Sequence, residues 1–101
     1  DLAKTQTGTP YYASPEVWKD QPYGTKSDMW SLGCVLYELA AQKPPFTATD
    51  IQTLYKKIMR GTYPRIPSQY SNDLAGVIST LLKLDPSERP SASCLLSNPI
   101  V

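Results

Sequence analysis

Ser27-Asp28-Met29-Trp30-Ser31-Leu32-Gly33-Cys34-Val35-Leu36-Tyr37-Glu38-Leu39-Ala40-Ala41 carries Met, Trp, Leu, Val and Tyr on nearly every side of a 3.6-residue period. A helix of that composition is expected to be buried all round rather than to lie on a surface. Ser27 or Asp28 is placed to cap its start, and Pro44-Pro45 forbid its continuation. Gly33 costs helix stability, so it is expected to permit a close backbone approach. A core rod of this kind in a chain of 101 residues requires other elements to wrap it.

The flanking sequence supplies those elements. Residues 1–26 are rich in Thr, Pro, Tyr, Gly and Ser and read as an ordered loop. A short helix from Ser14 to Lys19 is expected within it, with Ser14 as N-cap and Pro15 at the first helical position. Asp50 is placed to cap a helix with Ile51, Leu54, Tyr55 and Ile58 on one face and Gly61 as its stop. Ser71 opens another, whose Leu74, Val77, Ile78, Leu81 and Leu82 form one stripe through Lys83 until Asp85-Pro86 ends it. Ser91 begins a last short helix through Ser97, closed by Pro99. No strand alternation and no internal repeat is present. The expected class is all-α with long ordered loops.

Bulk properties exclude several functions. The net charge of +1 gives no basis for electrostatic binding to nucleic acid or an anionic membrane. Lys56-Lys57 and Arg60 read as a solvated helix face. The apolar run from Leu32 to Ala41 is interrupted by Glu38 and falls well short of the ~20 residues that span a bilayer. Cys34 and Cys94 are too few for a disulfide framework; both sit in apolar helical contexts and are expected to pack as small hydrophobes in a reducing compartment. No charged-then-apolar leader opens the chain. Histidine is absent, which removes Ser-His-Asp and Cys-His chemistry and imidazole zinc sites. Phosphoryl transfer stays available, because it depends on positioning and charge stabilisation rather than on a histidine base.

Three segments in fixed order carry a family resemblance: Gly8-Thr9-Pro10-Tyr11-Tyr12-Ala13-Ser14-Pro15-Glu16, Lys26-Ser27-Asp28-Met29-Trp30-Ser31-Leu32-Gly33, and Asp85-Pro86-Ser87-Glu88-Arg89-Pro90-Ser91. Together they resemble the end of the activation segment, the central helix and the last-helix boundary of a eukaryotic protein kinase, with Ser14 where alanine is usual. No glycine-rich nucleotide loop, Val-Ala-Ile-Lys strand, His-Arg-Asp loop or Asp-Phe-Gly motif precedes Gly8. On this resemblance residues 1–101 are a partial kinase domain beginning in the activation loop. Residues 1–26 are its activation segment and substrate loop, and 27–101 its helical lower lobe. Longer stretches, Pro22 through Leu39, Lys57 through Pro64 with Ile66-Pro67, and Tyr70 through Leu74, resemble the NIMA-related (Nek) kinases in particular.

The resemblance implies roles residue by residue. Gly8-Thr9 resembles a serine/threonine kinase, where the hydroxyl of Thr9 would bridge catalytic groups when a Ser or Thr substrate is engaged. Gly8, Thr9, Pro10, Tyr11 and Tyr12 would face the substrate, with one tyrosine ring buried and the other toward the peptide. Glu16 and Arg89, remote in sequence, would form an ion pair tying the activation segment to the lower helices. An arginine fork matches a carboxylate in a way lysine does not. If that pair is buried, removing one partner costs on the order of 3–5 kcal/mol. Asp28 would anchor the central helix to a catalytic loop, and as a first-turn acid it is also stabilised by the helix dipole; Trp30 would be its buried aromatic anchor. Thr5, and after it Thr7, would be phosphorylation sites, where an added phosphate orders a loop by pairing with arginines.

The resemblance further implies that ATP and Mg²⁺ bind outside these residues and that the partners are proteins with Ser or Thr acceptors. The balanced charge and the short apolar run give the expectation of no nucleic-acid or membrane partner, and no metal site is expected in these residues. The expected location is the cytoplasm, with cytoskeletal, centrosomal or ciliary association. Residues 1–101 alone are expected to transfer no phosphate, to bind ATP weakly and to be marginally stable. Two other readings compete: a pseudokinase or scaffold using the helical lobe for docking, and an independent helical interaction module.

Overall fold

The computed structural model describes residues 11–22, 24–67, 69–70 and 72–97. Among them all regular structure is helical: α1 (Pro15–Trp18), α2 (Thr25–Ala41), α3 (Ile51–Arg60), α4 (Asn72–Leu81), a 3₁₀ turn (Pro86–Glu88) and α5 (Ala92–Leu96).

Helix α2 begins at Thr25 rather than at Ser27. The Gly24 carbonyl accepts from the amides of Ser27 and Asp28, at 3.0 and 3.4 Å, so the backbone itself closes the first turn. The Ser27 hydroxyl is thereby released for another partner, described below, and Asp28 stays an exposed first-turn acid. At the other end Gln42 takes a left-handed conformation (φ 63°) and donates its amide to the Glu38 carbonyl at 2.7 Å. Pro44 and Pro45 then direct the chain away.

The wall around α2 is one-sided. Trp30, Cys34 and Tyr37 are fully buried, with Met29, Gly33 and Ala40 beside them. Trp30 stacks on Phe46 at 5.7 Å between centroids, and Tyr37 meets the edge of Tyr63 at 5.5 Å. The Tyr37 hydroxyl donates to the Pro64 carbonyl at 2.6 Å, which satisfies the one polar atom of that ring. Leu54, Ile58, Ile78 and Leu82 complete this core, and a smaller cluster of Met29, Val77, Leu81 and Leu95 joins α2, α4 and α5. The opposite stripe of α2 is open: Leu32, Val35 and Leu39 are exposed, Leu39 by 73%. The expectation of burial all round therefore fails on this face, because no element among the described residues covers it.

Gly33 sits at the tightest contact between α2 and α4. A Cβ there would lie 2.7 Å from the Leu81 Cβ and 3.0 Å from the Leu82 Cδ2, so only glycine lets the two helices close to this distance.

The remaining elements follow their local signals with shifted boundaries. Asp50 caps α3 by accepting from the Thr53 amide at 2.8 Å. Gly61 ends it in the left-handed region at φ 70°. On α3 only Leu54 and Ile58 are buried; Ile51 and Tyr55 lie more than a third exposed at the edge of the expected face, with the Tyr55 ring 5.8 Å from Trp18. Helix α4 stops at Leu81 instead of Lys83, though Leu82 is still buried just past it. The expected cap Ser71 lies outside the described residues, as does Pro99. Ser91 caps α5 through the Cys94 amide at 3.1 Å, and Ser97 is the residue that closes it. Cys34 packs in the core as expected. Cys94 does not: α5 turns its side chain to the exposed face while Leu95 takes the buried one.

Candidate functional site: a loop clamped to the helical core

Pro15 fixes the first residue of α1 at the φ a helix needs, and the single turn that follows carries Glu16 inward. Ser14 holds the N-cap position with extended backbone (φ −70°, ψ 163°), and its carbonyl accepts from the Trp18 amide at 3.0 Å. Its hydroxyl makes no cap bond, contrary to expectation, and is buried without a partner among the described residues. Far along the chain, Asp85 caps the 3₁₀ turn by accepting from the Ser87 amide at 2.9 Å. The Arg89 amide closes that turn on the Pro86 carbonyl, which delivers the guanidinium to the same place.

There the two side chains meet. Arg89 Nη1 donates to Glu16 Oε2 at 2.7 Å and Nη2 to Oε1 at 2.9 Å, with both side chains buried. The other donors of the fork are taken as well: Nε by the Lys83 carbonyl at 2.8 Å, Nη1 by Lys26 at 2.8 Å and Nη2 by Leu84 at 3.3 Å. All five guanidinium hydrogens thus have acceptors. The cation also lies 5.1 Å from the Trp30 ring centroid. Ser27 donates its hydroxyl to Glu16 Oε2 at 2.5 Å, and Lys26 Nζ donates to the Arg89 carbonyl. Burial alone would raise the Glu16 carboxyl, but the Arg89 bonds, the Ser27 hydroxyl and the arginine charge outweigh it and hold the group at about 2. The same core pushes the Cys34 thiol up to about 12 by burial, against a smaller opposing pull from Arg89, so this cysteine is an inert packing residue.

A second fastener lies one step along the loop. The Ser31 hydroxyl, on α2, donates to the Tyr12 carbonyl at 2.9 Å. The Tyr11 and Tyr12 rings are both half-buried against the main core, so neither is wholly in the core nor wholly in solvent. The loop from Tyr11 to Glu16 is consequently held to the central helix at its backbone and at its acid end. Gly8, Thr9 and Pro10, and the phosphorylation candidates Thr5 and Thr7, lie outside the described residues. Among the described residues no three His, Cys, Asp or Glu side chains gather into a metal-binding group, and no helix is long and apolar enough to cross a membrane.

Sequence reasoning named the two partners of the clamp but missed Ser27, Lys26 and Ser31 as its supports. A serine at a helix start carries a capping signal, and nothing in the local pattern distinguishes a hydroxyl that goes instead to a distant carboxylate.

Comparison with known proteins identifies the family. The model of the protein kinase domain matches residues 1–101. The chain belongs to the protein kinase family. The individual kinases it is similar to include Nek members: it is 52% identical over 101 residues to the probable serine/threonine-protein kinase nek3 of Dictyostelium discoideum, covering 99% of this chain and 9% of that protein. It is 51% identical over 95 residues to Nek3 of Mus musculus, covering 94% and 19%, and 50% over 100 residues to Nek2 of Homo sapiens, covering 99% and 22%. The kinase sequence described here thus spans less than a quarter of the length of these relatives.

Proposed function

We propose that these residues form the substrate-facing loop and helical support of a serine/threonine protein kinase, and that the complete polypeptide transfers the γ-phosphoryl group of ATP to Ser or Thr hydroxyls of protein substrates. The clamped loop carries this reading. A peptide can be positioned for in-line transfer only against a wall that does not move, and Tyr11–Glu16 is tied to α2 by the Ser31–Tyr12 bond and to the far end of the chain by Glu16–Arg89. Gly8, Thr9, Pro10, Tyr11 and Tyr12 bind the substrate; the acceptor hydroxyl oxygen attacks the γ-phosphorus, its proton passes to a base outside these residues, and the bond to the ADP oxygen breaks. Thr9 supports the Ser/Thr preference. Thr5, and secondarily Thr7, is the activating phosphorylation site.

ATP and Mg²⁺ enter as substrate, bound by residues other than these 101, and Asp28 anchors the central helix to the loop that carries the catalytic groups. The partners are proteins with Ser or Thr acceptors, and the cytoplasm, with the cytoskeleton and centrosome or cilium as addresses, rests on resemblance to Nek kinases alone.

The test is transfer of labelled phosphate from ATP to paired peptides bearing Ser, Thr or Tyr acceptors, using the complete polypeptide. Incorporation into Ser and Thr peptides, and none by residues 1–101 alone, is the expected result. Absence of transfer by the complete polypeptide, with its fold intact, selects the scaffold reading instead.

A further inference from the structure

Where the chain leaves α2, Lys43 and the two prolines after it face the last turn of α3 across a cavity of about 280 Å³. Three cationic side chains line it: Lys43 from the connection, and Lys57 and Arg60 from one face of α3. No Asp or Glu is among the lining residues, although the chain as a whole is balanced at +1. Lys57 is held in place by donating to the Thr47 carbonyl at 2.6 Å, and Thr62 adds a hydroxyl to the wall.

Cations in the last turn of a helix are ordinarily explained by the dipole and by unpaired carbonyls. That accounts for Lys57 and Arg60 but not for Lys43, which belongs to a different segment and lines the same cavity. Among the described residues neither Lys43 nor Arg60 has a carboxylate partner, the ion pair there being Glu16–Arg89. All three residues are exposed, so their mutual repulsion is weak, and a dianion between them adds attraction rather than relieving strain.

We propose that this cavity recognises the phosphomonoester of a phosphorylated serine or threonine on a partner protein. Such a group carries up to two negative charges and three strong acceptor oxygens. An arginine fork with two ammonium groups supplies matching donors. Pro44 and Pro45 make the connecting wall stiff, so little order has to be bought on binding. The proposal rests on the kinase reading only for its biological source: an enzyme that acts on protein hydroxyls meets proteins already bearing this ester.

The test is fluorescence anisotropy with the complete polypeptide and no nucleotide. The probes are a phosphoserine peptide with neutral flanks, the same peptide unmodified, the same peptide with glutamate at that position, and phosphatidylserine vesicles. The phosphopeptide is expected to bind at least about tenfold more tightly than the unmodified one, with the glutamate peptide between them. Arg60→Gln is expected to weaken it about tenfold and Lys43→Gln several-fold, while Lys19→Gln, an exposed cation elsewhere, leaves it unchanged. Circular dichroism confirms that each variant is folded, and rising salt weakens the binding in the parent protein. Equal binding of phosphorylated and unmodified peptides overturns the proposal. So does insensitivity to Arg60→Gln, or capture of vesicles without capture of the phosphopeptide. A polypeptide that binds the phosphopeptide but transfers no phosphate refutes the kinase reading and leaves this site standing; transfer without such binding does the reverse.

Discussion

Replacing Arg89 by lysine keeps the charge and changes only the geometry, which makes it the sharpest perturbation of the clamp. The guanidinium serves five acceptors: both oxygens of Glu16 and the carbonyls of Lys26, Lys83 and Leu84. A lysine ammonium has three donors and one centre, so at least two of the five acceptors, the Glu16 oxygens being buried and the three carbonyls part-buried, lose their partner. The Leu84 bond is the longest and contributes least. At about 1–3 kcal/mol for each orphaned group, Arg89→Lys is expected to destabilise the fold by about 2–4 kcal/mol. Glu16 shows which way the pair leans: burial alone would raise its carboxyl, but the Arg89 and Ser27 bonds lower it from an ordinary 4.5 to about 2, so the acid is ionised beside the guanidinium. The loss expected for Arg89→Lys falls below the total stability of about 5–15 kcal/mol usual for a domain, so the variant should remain folded and measurable. Urea unfolding of the complete polypeptide reads the loss as a lower midpoint at unchanged slope. In a Glu16→Gln background the same change should cost less, with a coupling of about 1–3 kcal/mol. A loss below about 1 kcal/mol, or zero coupling, refutes the claim that a buried bidentate pair joins the loop to the lower helices.

Gly33→Ala gains helix propensity of up to about 1 kcal/mol, yet its methyl would lie 2.7 Å from the Leu81 Cβ, so overpacking should win. A net loss of about 1–2 kcal/mol in the same unfolding assay is expected, and a stabilised variant would show that the approach of α2 to α4 is looser than described. The cysteines should separate cleanly under a maleimide at neutral pH. Cys94 reacts at once, while Cys34, buried and with its thiol near 12, reacts only on unfolding; equal rates would contradict the core assignment.

Much of the helical order was legible because it depends on local chemistry. Proline at the first position of α1, Asp50 and Ser91 as caps, and Gly61 as a left-handed stop each act within one turn, and each stands where its residue type predicts. Position along α2 was less legible for the same reason reversed. Ser27 looks like a cap, but its hydroxyl goes to Glu16, and the helix starts at Thr25 on backbone bonds to Gly24. The apolar character of α2 promised burial without saying against what: Trp30, Cys34 and Tyr37 find partners, and Leu32, Val35 and Leu39 do not among the described residues.

At the site, Glu16 and Arg89 were legible only through resemblance, since nothing local links an acid in an early loop to a base near the end. The carbonyl acceptors of Arg89 and the Ser31 bond to Tyr12 escape sequence reasoning altogether, because any residue supplies a carbonyl. The cation-lined cavity escaped it too. Lys57 and Arg60 read as a solvated face until the turn at Gln42 brings Lys43 opposite them.

The clamp itself is most directly tested by carbon-13 NMR of the Glu16 side-chain carboxyl across an acid titration of the complete polypeptide. A carboxylate favoured in the folded state contributes stability that is present above pH 4.5 and lost as pH falls toward 2. The signal should therefore stay that of the ionised form down to about pH 3, with its midpoint near 2 unless acid unfolding intervenes first. A midpoint near the ordinary 4.5 in the folded protein would mean that Arg89 does not hold this group, and the tie between loop and helices would be lost with it.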